Sequence, residues 1–122
     1  MTIHRLQVGP RMSQAVVHGG IVHLAGQVAE DVALDVSGQT RQVLDAIDRL
    51  LAEAGTDKTR ILQAQVFLAD ISDFAAMNAV WDAWVPTGHT PARATVEARL
   101  AAPAYRVEIL VVAALSASPR DR

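Results

Sequence analysis

An arginine and a glutamate in the last third of this 122-residue chain, Arg93 and Glu108, are the pair best suited to chemistry on a small molecule. A guanidinium fork can grip a carboxylate through parallel N–H···O bonds, while a nearby carboxylate orients or deprotonates a water. The same two side chains could equally form a cross-strand ion pair, which contributes little if it faces water. Other candidates carry weaker signals. His18 and His23 could share a metal from one face of a sheet, but no third ligand stands at a diagnostic spacing and no metal is expected. His89 lies between Gly88 and Thr90 in a turn ahead of Arg93, where a solvated loop histidine accounts for it as well as a site edge does. Ser13, Ser37 and Ser72 have no Gly-x-Ser-x-Gly elbow, and no Gly-rich phosphate cradle occurs. The chain has no cysteine, so thiolate nucleophiles, disulfides and Cys-ligated clusters are excluded.

The elements that must position Arg93 and Glu108 belong to one compact domain, expected over 1–115, with 51% hydrophobic and 20% charged residues. A formal charge of −2 offers no basic field for a nucleic-acid backbone or an anionic membrane. No apolar run approaches the roughly 18 residues of a spanning helix, so a cytoplasmic protein is the expectation. Ile3 to Val8 reads as a first strand stopped by Gly9-Pro10. Gln14 to His18 and Ile21 to Ala25 read as a hairpin through Gly19-Gly20, which puts Val16, His18, Ile21 and His23 on one face. After Asp35 and Ser37, the recurrence of Val43, Leu44, Ile47, Leu50, Leu51 and Ala54 predicts a helix stopped by Gly55. Its charged residues, Asp48 among them, are read as a solvated face. Ile61 to Ala69 alternates with period two, setting Leu62, Ala64, Val66 and Leu68 against Ile61, Gln63, Gln65 and Phe67. Ser72 is the expected cap of a second helix whose inward stripe is Phe74, Met77, Trp81 and Trp84 or Val85. Strands Ala92 to Ala98 and Arg106 to Ala113 close the domain, and 116–122 reads as a frayed tail. The order βββαβαββ predicts an α+β fold with two helices on one face of a mixed sheet.

In the last strand Val107, Ile109, Val111 and Ala113 suit the helix side, leaving Glu108, Leu110 and Val112 on the other. Ala94, Val96 and Ala98 suit the helix side of the preceding strand, so Arg93, Thr95 and Glu97 are expected on the uncovered face beside Glu108. That face is too apolar for bulk water and too polar for a core, which points to a subunit interface enclosing polar clefts.

Pro91-Ala92-Arg93-Ala94-Thr95-Val96-Glu97 followed by Val107-Glu108-Ile109 resembles the signature of the RidA/YjgF family of imine deaminases. Ala25-Gly26-Gln27 resembles that family's Ser-Gly-Gln, and Asp73-Phe74-Ala75-Ala76-Met77-Asn78 its second-helix entry. The likeness spans about Arg11 to Leu115 and is strongest to the shorter YoaB-like branch. It implies a chorismate-mutase-like homotrimer with sites between subunits, hydrolysing 2-aminoacrylate-like enamines and imines to 2-oxo acids and ammonia without a cofactor. By position, Arg93 would grip the substrate carboxylate and Glu108 would position the attacking water. Backbone groups at Thr95 and Gly26 would contact substrate, and Asn78 would help shape the cleft. The chain departs from the pattern at Met12, where the family has Tyr, at Ala25 in place of Ser, and at Thr95 in place of Cys. Those losses keep a second reading open, a non-catalytic module that binds small carboxylates or acts as a sensor. A ribonuclease role, also claimed in the family, is disfavoured by the acidic balance and the single lysine, Lys58.

Overall fold

The computed structural model describes residues 2–116; beyond Ser116 the expected tail lies outside them. Strands β1 (His4–Val8), β2 (Ser13–His18) and β3 (Ile21–Leu24) precede helix α1 (Val36–Ala54). Strand β4 (Ile61–Leu68), helix α2 (Phe74–Trp84) and strands β5 (Ala92–Glu97) and β6 (Val107–Ala114) follow, in the expected order. The strands form one mixed sheet ordered β1-β2-β3-β6-β4-β5. β4 and β5 pair in parallel, and α2 is the crossover that such a pair requires. Gly19 and Gly20, at φ 60° and 80°, make the two-residue turn of the first hairpin. His18 accordingly faces Ile21 and Val16 faces His23.

The Asp35 carboxylate accepts a 2.8 Å bond from the Gly38 amide and caps α1, while Gly55 ends it in the left-handed region at φ 91°. The apolar stripe of α1, with Val43, Leu44, Ile47 and Leu51 buried, packs with Val22, Val66, Ile109 and Val111 of the sheet in one core. Burial along β6 alternates strictly, with Val107, Ile109, Val111 and Ala113 inside. Gln39, fully buried on α1, donates through Nε2 to the carbonyls of Val32, Leu34 and Ala104 and accepts the Arg106 amide at 2.9 Å. One α1 side chain thus ties down the segment entering the helix and the connection that starts β6.

Four expectations about single side chains fail. Leu62 is 50% exposed and Ile61 buried, because the β4–β6 register shifts between Ile61 and Gln63 and this bulge reverses the alternation at the start of the strand. Ser72 does not cap α2: its amide and hydroxyl donate to Asp70 in a short 3-10 helix, Ile71–Asp73, and α2 begins at Phe74. Phe74 is 43% exposed, leaving Met77, Val80 and Trp81 as the buried residues of α2. Asp48 is not purely solvated, since it accepts a 2.9 Å bond from the Trp84 indole Nε1–H and pins α2 to α1.

Candidate functional site

The parity of β5 is opposite to the sequence expectation. Arg93 pairs with Ala64, Thr95 with Val66 and Glu97 with Leu68, and those β4 partners are buried beneath the helices. Laterally paired residues share a sheet face, so Arg93, Thr95 and Glu97 belong to the helix side. Ala92, Ala94 and Val96 take the uncovered side and are exposed. Alternation of alanine with polar residues is ambiguous when both faces of a strand await cover, and α2 decides by offering Arg93 aromatic surface. The Arg93 Cζ stands 5.0 Å from the Trp81 ring centroid and 5.9 Å from that of Phe74.

Phe74, Asn78 and Trp81 occupy positions i, i+4 and i+7 of α2, one stripe of its surface, against the i, i+2 pair Arg93 and Thr95. Burial beneath α2 pulls the Arg93 guanidinium below its ordinary value, opposed by the negative charge of Asp82. No carboxylate reaches ion-pair distance of it among the described residues, where Arg49 with Asp45 is the one ion pair. The Thr95 hydroxyl oxygen and the Asn78 amide oxygen are also buried without a hydrogen-bond partner. A partly desolvated cation on the same side of the sheet as two unpartnered polar atoms is an arrangement suited to receive a polar ligand.

Glu108 lies on the other face. In β6 it is paired with Phe67 of β4, which shares that uncovered side. After β3 the chain returns to β6 through paired bonds between Gln27 and Ile109, at 2.8 and 3.1 Å, which set Gly26 directly against Glu108. A Cβ at position 26 would stand 2.1 Å from Glu108 Oε2 and 2.9 Å from its Cδ. Gly26 is therefore a glycine for close approach: only hydrogen leaves room for the carboxylate where it lies.

Gly26 and Glu108 form one group, and Arg93, Thr95 and Asn78 form another on the opposite side of the sheet, with β4 between β5 and β6. A single chain does not bring Arg93 and Glu108 together. A polar cleft of about 370 Å³ lies elsewhere, between β1–β2 and α1, lined by Gln7, Gln14, Gln27 and Gln42. His18 and His23 are exposed on the uncovered face, and among the described residues no three His, Asp or Glu side chains cluster as a metal site. His89 is an exposed loop residue with its Nδ1 3.2 Å from the Thr87 carbonyl. Sequence reasoning assigned Trp81 and Phe74 to the core and missed them as the surface on which Arg93 rests. The signal was the i, i+4, i+7 spacing of Phe74, Asn78 and Trp81 beside a parallel strand carrying an arginine.

Residues 2–115 match the protein family described as Endoribonuclease L-PSP. The chain belongs to this RutC/YjgF family. The RutC family protein YoaB of Escherichia coli is 47% identical over 115 residues, covering 94% of this chain and all of that one, 100%. A RutC family protein of Haemophilus ducreyi is 46% identical over 93% of this chain and 97% of its own. Among solved structures, NMB1025 of Neisseria meningitidis, a YjgF family member, superposes with a TM-score of 0.94 at 48% identity, covering 97% of this chain and 98% of that one. Yeast Mmf1 retains the fold at 25% identity, with a TM-score of 0.87 over 94% of this chain and 100% of its own. The RutC/YjgF fold thus has the mixed sheet and helix pair seen here, and no helix among the described residues is long and apolar enough to cross a membrane.

Proposed function

We propose that this RutC/YjgF protein is a cytoplasmic enamine/imine deaminase, hydrolysing 2-aminoacrylate-like intermediates to 2-oxo acids and ammonia in clefts between the subunits of a homotrimer. The observation that carries this reading is the Arg93 guanidinium, partly desolvated on Trp81 without a carboxylate partner, on the sheet side that also holds the unpartnered Thr95 and Asn78 oxygens. It is an anchor suited to a carboxylate. Arg93 and Glu108 sit on opposite faces, so a cleft holding both takes Arg93, Thr95 and Asn78 from one copy and Gly26 and Glu108 from another. The uncovered face supports assembly, since Val96 is 48% exposed there and Phe67, Leu110 and Val112 are only half-buried.

In such a cleft Arg93 fixes the substrate carboxylate and so the position of the C=N carbon. The enamine reaches its imine tautomer by moving a proton from nitrogen to carbon. Water adds to the imine carbon while Glu108 takes a proton from it, forming a carbinolamine. Glu108 returns that proton to the nitrogen, completing the carbinolamine, and passage of its hydroxyl proton to the nitrogen as well lets the C–N bond break, so that ammonia leaves and the 2-oxo acid remains. No electrons are exchanged with an outside acceptor, so the scheme calls on no cofactor.

The test couples an amino-acid oxidase to the protein and follows imine loss for several amino acids. Wild type should accelerate the loss and Arg93→Ala should not. The presence of Met12, Ala25 and Thr95 in place of the family's Tyr, Ser and Cys favours the second reading, a binding module. Tight 2-oxobutyrate binding without accelerated imine loss would select it.

A further inference from the structure

The geometry points to Trp81 as the residue that positions Arg93, with its own ring backed by Trp84, which Asp48 and Lys58 hold in turn. This inference rests on the carboxylate-anchor reading of Arg93 and identifies what holds that anchor. Arg93 stands on β5, an edge strand with a single neighbour, and its guanidinium lies 5.0 Å from the Trp81 centroid. A long arginine side chain without an ion-pair partner samples many rotamers, and ordering it on ligand binding costs affinity. The Trp81 face removes much of that freedom beforehand, since cation–π attraction strengthens where water is excluded.

Trp81 is buried, 5% exposed, and does not fix its plane alone. Its ring centroid lies 5.4 Å from that of Trp84, the two rings tilted by 52°. Trp84 is in turn held by two contacts from outside α2. Its indole Nε1–H donates to Asp48 Oδ2 of α1 at 2.9 Å. The Lys58 ammonium stands 5.1 Å from its centroid and donates at 2.7 Å to its carbonyl near the helix end. Lys58, Trp84, Trp81 and Arg93 therefore form a continuous row of cation, ring, ring and cation, the two rings tilted against each other, running from the far side of α2 to the proposed site. Core packing alone would account for a buried Trp81 but not for a guanidinium laid on its face in place of a carboxylate partner.

The experiment titrates 2-oxobutyrate by calorimetry into assembled wild-type, Trp81→Leu and Trp81→Phe proteins, with melting temperatures measured alongside. Trp81→Leu should weaken binding by about three- to thirtyfold, the span expected of a lost cation–π contact, and Trp81→Phe, which keeps a ring face, by less than about threefold. Rescue by phenylalanine separates positioning from volume, because leucine and phenylalanine both leave part of the indole space unfilled. A Trp81→Leu affinity within about twofold of wild type would overturn the inference while leaving Arg93 as the anchor. Absence of wild-type binding would overturn the anchor and the inference together. Should Trp81→Leu fail to assemble, Trp84→Phe protein decides, since Trp81 is then the sole indole. Saturating 2-oxobutyrate should change Trp81 emission as the ligand neutralises the guanidinium above it, and unchanged emission with calorimetric binding would refute the Arg93–Trp81 contact as the positioning device.

Discussion

Glu108 and Gly26 make the sharpest residue-level predictions, because one carboxylate occupies the space that any side chain at position 26 would need. Glu108→Gln should retain 2-oxobutyrate affinity and slow imine hydrolysis, since an amide still hydrogen-bonds water but cannot take its proton. Catalytic removal of a general base costs on the order of 10²- to 10⁴-fold in rate, which a coupled oxidase assay resolves readily. Equal turnover would reduce Glu108 to an interface residue. Gly26→Ala should give a folded protein with a comparable defect, because the 2.1 Å clash falls on the free end of a glutamate and is relieved by swinging the carboxylate away. Full activity in Gly26→Ala would mean that Glu108 need not lie where the structure puts it.

At the scale of elements, polar side chains that satisfy backbone groups set the connections on either side of the site. Gln39→Leu removes the acceptor of the Arg106 amide and the donor shared by three carbonyls, so it should lower stability by about 1–3 kcal/mol, readable as a lower urea midpoint. An unchanged midpoint would show that water replaces the amide without cost. The short 3-10 helices Ile71–Asp73 and Lys58–Arg60 carry a pH signature. The Ser72 hydroxyl and amide, bonded to Asp70, hold its carboxyl below the ordinary 3.8, and the Thr59 hydroxyl and amide do the same for Asp57. Because the folded-state values are depressed, their contribution is present above the unfolded-state value near pH 4 and is lost as pH falls through the folded-state value. Asp70→Asn should therefore melt below wild type at pH 7 and converge with it in acid, and a gap that widened towards pH 3 would contradict the assignment.

For the whole molecule, the uncovered sheet face predicts the state of assembly. Light scattering at micromolar concentration should return three times the 13.0 kDa chain mass. Val96→Asp, which sets a charge on the exposed apolar edge of that face, should shift the mass towards the monomer and abolish imine hydrolysis together. A monomeric wild type would remove the intersubunit cleft, since within one chain Arg93 and Glu108 stay on opposite sides of the sheet. An active monomer would require a different pair of residues altogether.

What local patterning determined was the list of elements and the helix side of most of them. The 3.6-residue stripe of α1, the Gly19-Gly20 turn and the strict alternation of β6 each bury one apolar face that their neighbours also need, so sequence and tertiary structure agree there. The motif residues Arg93, Thr95, Asn78, Gly26 and Glu108 were likewise legible as a family resemblance. The face of Glu108 followed from the alternation of β6, but only tertiary structure decided which face Arg93 and Thr95 take. In β4 a bulge at Leu62 reverses the parity within the strand, and no residue type announces it. In β5 the alternation of Ala92, Ala94 and Val96 with Arg93 and Thr95 fits either face, because apolar residues can await a partner subunit as well as a core. The choice falls to α2, whose Trp81 and Phe74 give a guanidinium an aromatic surface that water-facing placement on the other side would not. A period of two says that neighbours point apart; which of them points inward depends on what the rest of the chain brings alongside.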